Sequence, residues 1–149
     1  MLELQRTTSE NADFVALVRE LDAYLALADG DDHAFYHQFN SIAKLNHVVV
    51  AYFNNAPVGC GAVKPFEGNK MEVKRMYTKP MARGNGIAGE VLLELEAWSK
   101  EMGVCACILE TGVNQQEAIG FYRKMGYERV DNYGQYVGVE NSFCFEKLL

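Results

Sequence analysis

The stretch Tyr77-Thr78-Lys79-Pro80-Met81-Ala82-Arg83-Gly84-Asn85-Gly86-Ile87-Ala88-Gly89 constrains the fold more than any other part of this 149-residue chain. Upstream of it, Met71 to Thr78 reads as a strand, which Pro80 must end. Downstream, Val91, Leu92, Leu95 and Trp98 form an apolar stripe at helical spacing, so a helix starts near Gly86 and stops at Gly103. Glycines in such a turn let the backbone approach a ligand closely. The first N–H groups of the helix have no partner within it and lie at the positive end of its dipole. A phosphate fits there, and Arg83 and Lys79 bring positive charge to the same point. The turn reads as a pyrophosphate site, with the nucleotide left open.

Charge supports a local anionic ligand. The chain carries 20 acidic and 14 basic residues, net -6, which opposes broad adhesion to nucleic acid or an anionic membrane. The basic residues nevertheless concentrate in one place. Residues 64–83 hold Lys64, Lys70, Lys74, Arg75, Lys79 and Arg83 against only Glu67 and Glu72. A charge cluster is commonly no more than a solvated face. Here it runs directly into the glycine turn.

The remaining pattern gives the element order. Leu2 to Arg6 alternates as a short strand. Thr8 or Ser9 can cap a helix carrying Phe14, Leu17, Val18, Leu21 and Leu25 at helical spacing. A second, shorter helix is predicted around Phe35, Phe39 and Ile42. His47 to Phe53, Val58 to Val63 and Met71 to Thr78 are three consecutive strands, the first two joined through an Asn54-Asn55 turn. After the glycine turn and its helix come a buried strand (Val104 to Leu109), a helix (Gln115 to Met125), and strands around Tyr127 to Val130 and Ser142 to Leu149. This β-α-α-β-β-β-α-β-α-β-β string is an α/β (α+β) arrangement in one domain spanning 1–149, with a parallel pair at the middle β-α-β.

Two nucleotide readings compete at the turn. Gly84, Gly86 and Gly89 spell G-x-G-x-x-G, and Glu110 stands at the end of the next strand, which imitates the dinucleotide fingerprint. Against it, Lys79 to Arg83 intervene between strand and glycine, and only about forty residues follow Glu110, too few for a long parallel series. A kinase-type P-loop fails because no Lys-Ser or Lys-Thr follows the glycines. The alternative is a family resemblance. Arg83 to Ala88 fits R-x-x-G-x-A, and Asn114 followed by Ala118-Ile119-Gly120-Phe121-Tyr122-Arg123-Lys124-Met125-Gly126-Tyr127 is similar to A-x-x-x-Y-x-x-x-G-[FY]. Both resemble motifs of the GNAT superfamily of N-acetyltransferases, in the family's order and spacing.

The resemblance implies a GNAT fold: a mostly antiparallel seven-stranded sheet whose central parallel pair splays, with about four helices. It implies acetyl-CoA as the acyl donor and an amine as acceptor, with no metal. The pantetheine arm would pair with Met76, Tyr77 and Thr78, and the pyrophosphate would rest on Arg83, Gly84, Asn85, Gly86, Ile87 and Ala88. Asn114 would reach the cofactor, and Tyr122 would lie near the thioester sulfur as general acid. For the base, Glu72 is placed first, and Glu110 is the other carboxylate near the splay. Glu72 shares the face of Met76 only if that strand is regular; a bulge would reverse the relation. Tyr36, Phe39, Asn40, Tyr133 and Tyr136 would border the acceptor. The expected function is transfer of an acetyl group to a primary amine, with a non-catalytic acyl-CoA-binding module of the same fold as the alternative.

The other features are plainer. Cys60, Cys105, Cys107 and Cys144 contain no C-x-x-C pair and read as free thiols packed as small hydrophobes. His33 and His37 are four apart on a predicted helix but lack a third ligand, so they read as surface histidines. No apolar run is long enough to span a bilayer, and the first residues lack the layout of a secretory leader, so a cytoplasmic protein is expected. A homodimer is compatible with all of this.

Overall fold

A run of three valines and a tight asparagine turn start the sheet. In the computed structural model, which describes residues 1–28 and 44–149, β1 (Leu2–Thr7) pairs antiparallel with β2 (His47–Phe53). β2 turns into β3 (Ala56–Phe66) through Asn54 and Asn55, both at positive φ (50° and 68°), the conformation that a two-residue hairpin needs. β4 (Lys70–Thr78) returns antiparallel to β3. A 3₁₀ turn (Pro80–Ala82) leads to the helix Ile87–Glu101 and then to β5 (Ala106–Gly112), which lies parallel to β4. The helix Gln116–Lys124, β6 (Glu128–Val130), a second 3₁₀ turn (Gly134–Tyr136) and β7 (Ser142–Leu148) complete the chain. The strand order is β1-β2-β3-β4-β5-β7-β6, with β4–β5 the parallel pair.

Ala12–Ala28 forms α1, and we number Ile87–Glu101 as α2 and Gln116–Lys124 as α3. α1 buries Phe14, Leu17, Val18 and Leu21 against Val48, Val50, Cys60 and Ala62 on one face of the sheet. α2 buries Ile87, Val91, Leu92 and Leu95 against Val49, Val63 and Val73 on the other. Successive strand residues thus feed two separate cores, as a period of two requires. The expected mixed, seven-stranded sheet is present, and three of the expected helices lie among the described residues. The helix predicted around Phe35 to Ile42 lies outside them, as do Tyr36, Phe39, Asn40, His33 and His37. Among the described residues no helix is long and apolar enough to cross a membrane.

Several local expectations are corrected. The cap of α1 is Asn11, whose Oδ1 accepts from the N–H groups of Asp13 (2.9 Å) and Phe14 (3.0 Å). Ser9 instead accepts from the Leu45 N–H. Cys60, Cys107 and Cys144 are buried as anticipated, but Cys105 is exposed, just before β5 begins. The basic island does not gather around one ligand. Lys70 pairs with Glu146, Lys79 with Glu20 (3.1 Å) and Arg75 with Asp22 (2.5 Å). Three of its six cations are thus answered by acidic residues elsewhere in the fold, which the linear sequence does not reveal.

Two irregularities of β4 create the site. Its pairing with β5 covers Lys70↔Ala106, Met71↔Cys107 and Glu72↔Ile108 and then stops, so the strands splay beyond Glu72. Its pairing with β3 slips between Cys60↔Tyr77 and Ala62↔Lys74, where Gly61 faces both Arg75 and Met76. Arg75 sits in this bulge at φ 59°. Gly61 leaves room opposite: a Cβ there would displace the Met76 sulfur and crowd Leu95 and Val91.

Candidate functional site

The bulge sets which face of the sheet each β4 side chain serves. Glu72 and Lys74 stand on the α1 side of the sheet, where Arg75 and Tyr77 also reach Asp22 and Glu20 of α1. Met76, by contrast, packs into the α2-side core with Met71 and Val73. The conditional expectation therefore resolves to its second branch: Glu72 and Met76 do not share a face.

A groove of about 340 Å³ runs from the glycine turn to the splay. Met76, Tyr77, Thr78, Arg83, Gly84, Gly86, Ile87 and Ala88, all among the expected cofactor residues, line it. Gly84 and Gly86 have φ of 85° and 75°, and nothing lies within 4 Å of the point a Cβ would occupy on either. The first i→i−4 bond of α2 is Glu90 N–H to Gly86 O at 3.1 Å, so the preceding N–H groups are left over for a ligand. The donor set and the open space suit a phosphate. Arg83 donates from Nε to the Thr78 carbonyl (3.0 Å), with its guanidinium 5.9 Å from the ring centres of both Tyr24 and Tyr77.

Two expected cofactor residues behave differently. Asn85 lies outside the groove lining; its side-chain amide donates to the carbonyls of Ala82 (3.0 Å) and Arg83 (3.5 Å) and shapes the turn. Asn114 is exposed in the turn before α3, while the neighbouring Gln115 lines the groove. Lys79, held by Glu20, is absent from the lining as well. Leu21 and Tyr24 of α1 line the groove and were missed, because their spacing reads simply as one face of a helix.

A second cavity, about 130 Å³, opens at the far side of the splay. Glu72, Lys74, Glu110 and Tyr136 line it. Glu72 is buried; its Oε2 accepts from the Tyr133 hydroxyl at 2.8 Å and lies 3.6 Å from Lys74 Nζ. Burial lowers the Lys74 pKa, against the opposing pull of Glu72. Burial also raises the phenols of Tyr133 and Tyr136, reinforced by Glu72 and Glu110 respectively. Both phenols therefore stay protonated around neutrality.

The groove and the cavity meet. Leu21, Met76, Gln115, Ala118 and Tyr122 line both. Tyr122 projects from α3, its ring edge-on to Phe121 (5.1 Å) and Tyr127 (5.8 Å), and burial raises its pKa.

This geometry has known relatives. Residues 14–127 match the model of the acetyltransferase (GNAT) family. The chain belongs to the GNAT family of acetyltransferases. An IAA acetyltransferase of Azospirillum brasilense is 36% identical over 137 residues, covering 91% of this chain and 90% of that protein. A structure from Klebsiella pneumoniae, described as an acyl-CoA N-acyltransferase, superposes with a TM-score of 0.83 at 27% identity, over 100% of this chain and 98% of the other. An N-acetyltransferase of Thermoplasma acidophilum crystallised with coenzyme A shares the fold (TM-score 0.70, 20% identity, 100% and 99% coverage). GNAT membership removes the dinucleotide reading of the three glycines.

Proposed function

We propose that this GNAT protein transfers the acetyl group of acetyl-CoA directly to a primary amine of a small molecule, with both substrates bound at once. The observation that carries this reading is the junction: the glycine-turn groove and the carboxylate-lined cavity share Met76 and Tyr122. A donor thioester at the end of the groove would therefore meet an acceptor in the cavity without a covalent enzyme intermediate.

Each residue then has a task. The backbone of Arg83 to Ala88 holds the pyrophosphate, and the edge of β4 at Met76 to Thr78, unpaired on its β5 side, takes the pantetheine arm as a strand. Asn85 acts through the turn it shapes and its own N–H, and Asn114 acts from the rim of the groove. A backbone N–H of β4 near Met76 stabilises the carbonyl oxygen as it gains charge. Glu72 removes the amine proton, with Glu110 the second carboxylate able to do so through water. Tyr122 returns a proton to the departing thiolate. Its burial does not spoil the match, because desolvation disfavours the thiolate as well as the phenolate. Tyr136 borders the acceptor.

The deciding experiment follows release of free CoA thiol from acetyl-CoA across a panel of amines, beside thermal shifts with acetyl-CoA and with NAD(H). Amine-dependent thiol release supports the enzyme. Stabilisation by acetyl-CoA with no release for any amine or peptide would favour an acyl-CoA-binding module instead.

A further inference from the structure

The Tyr133 hydroxyl, expected from the sequence to meet the acceptor, is engaged elsewhere. We propose that Tyr133 is a positioning residue that fixes the Glu72 carboxylate for proton abstraction. The inference rests on the reading of Glu72 as the base.

Three observations carry it. Tyr133 donates to Glu72 Oε2 at 2.8 Å, from the segment between β6 and β7 to the middle of β4, sixty-one residues away in sequence. Lys74 Nζ approaches the same oxygen at 3.6 Å. The other oxygen, Oε1, has no protein partner among the described residues, and Glu72 lines the cavity. One oxygen is thus anchored, and one is left for an acceptor. The anchor is itself stiff. The Tyr133 ring lies edge-on between Phe66 (centres 5.0 Å apart) and Tyr136 (5.8 Å), so its hydroxyl cannot swing away without breaking two aromatic contacts. A carboxylate on a freely rotating side chain spends little time aimed at one proton, and a fixed one needs no reorganisation at the moment of transfer. The titrating or charged groups around Glu72 are Lys74 on its own strand, Lys64 opposite on β3, Glu110 on β5, and Tyr133, Tyr136 and Cys144 from the β6–β7 side.

Tyr133→Phe keeps the ring contacts and removes only the donor. We expect kcat/KM for the amine to fall roughly ten- to hundredfold, the range of a hydrogen bond to a charged group. The loss should fall on kcat rather than on the KM for the amine, because the hydroxyl meets the base and not the acceptor. Melting temperature and acetyl-CoA affinity should stay near wild type. In a Glu72→Gln background, itself impaired about a hundredfold or more, adding Tyr133→Phe should cost nothing further. An impaired Glu72→Gln beside an unimpaired Tyr133→Phe overturns this inference alone, as does an equal Tyr133→Phe loss in both backgrounds. A Glu72→Gln protein with unchanged kcat/KM overturns the base assignment and this inference with it.

Discussion

Glu72 and Met76 lie four residues apart on one strand yet serve opposite faces of the sheet. In a regular strand an even separation keeps two side chains together. The extra residue at Arg75, opposite Gly61, reverses that rule. The carboxylate is thereby turned toward the α1-side cavity while Met76 is packed toward α2.

Gly86→Asp tests the cradle. At φ 75° the aspartate backbone is strained by about 1–2 kcal/mol, which a folded domain tolerates. Its side chain would enter the open space beside the α2 N-terminus and repel a pyrophosphate. Like-charge juxtaposition costs several kcal/mol, so acetyl-CoA should bind at least about 100-fold more weakly. Titration calorimetry on protein with a cooperative melting transition checks this; wild-type affinity would remove the assigned site.

Tyr122→Phe tests the acid. The ring contacts to Phe121 and Tyr127 survive, so the dissociation constant of acetyl-CoA should hardly change. Loss of the proton donor should lower kcat by about 10²–10⁴ when chemistry limits turnover. The deficit should shrink with acyl donors whose thiol has a lower pKa. A purely structural tyrosine would instead lower the melting temperature and leave activity per folded molecule intact.

The sheet, its order of elements and the glycine cradle were readable because each rests on local signals: period-two strands, helical stripes, Pro80 and glycines at positive φ. The bulge was not. Arg75 carries no residue-type signal for φ 59°, and Gly61, which leaves room for the Met76 side chain, stands on the other strand of the pair. Tyr133 gave no sign of its bond to β4 for a similar reason. Its partner, Glu72, is brought near by pairing order alone, which gives a tyrosine in a loop no local mark. Gln115 lines the groove from the cap position of α3, one residue beyond Asn114.

The cysteines should differ sharply toward an alkylating reagent in native protein. Burial pushes the Cys60 thiol up to about 12 and that of Cys144 up to about 11, and raises Cys107 as well. Cys105 is exposed. Mass spectrometry after brief treatment near pH 8 should find modification at Cys105, with Cys60, Cys107 and Cys144 reacting only after unfolding. Early labelling of Cys60 would contradict the packing beneath α1.

His47 should make the fold sensitive to mild acid. Its ring meets Trp98 edge-on at 4.8 Å, its buried Nδ1 has no partner among the described residues, and burial lowers its pKa from the ordinary 6.5. The unfolded chain therefore takes up the proton first. Stability contributed by the neutral ring is present above pH 6.5 and is lost as pH falls below it. Denaturant midpoints across pH 5 to 8 should fall on the acid side, and less steeply in His47→Gln; identical slopes would dismiss the assignment.

The short seam between β4 and β5 has a mechanical consequence. The sheet is two plates, β1–β4 and β5–β7–β6, clamped together along Lys70 to Glu72 and free at the opposite end. A molecule seated across the free end supplies a second clamp. Its binding should stiffen the plates as a whole, slowing amide exchange in β5 and β7 as well as at Tyr77 and Thr78. Occupancy of the groove would then be felt by backbone on the far side of the molecule, in strands that no ligand atom touches.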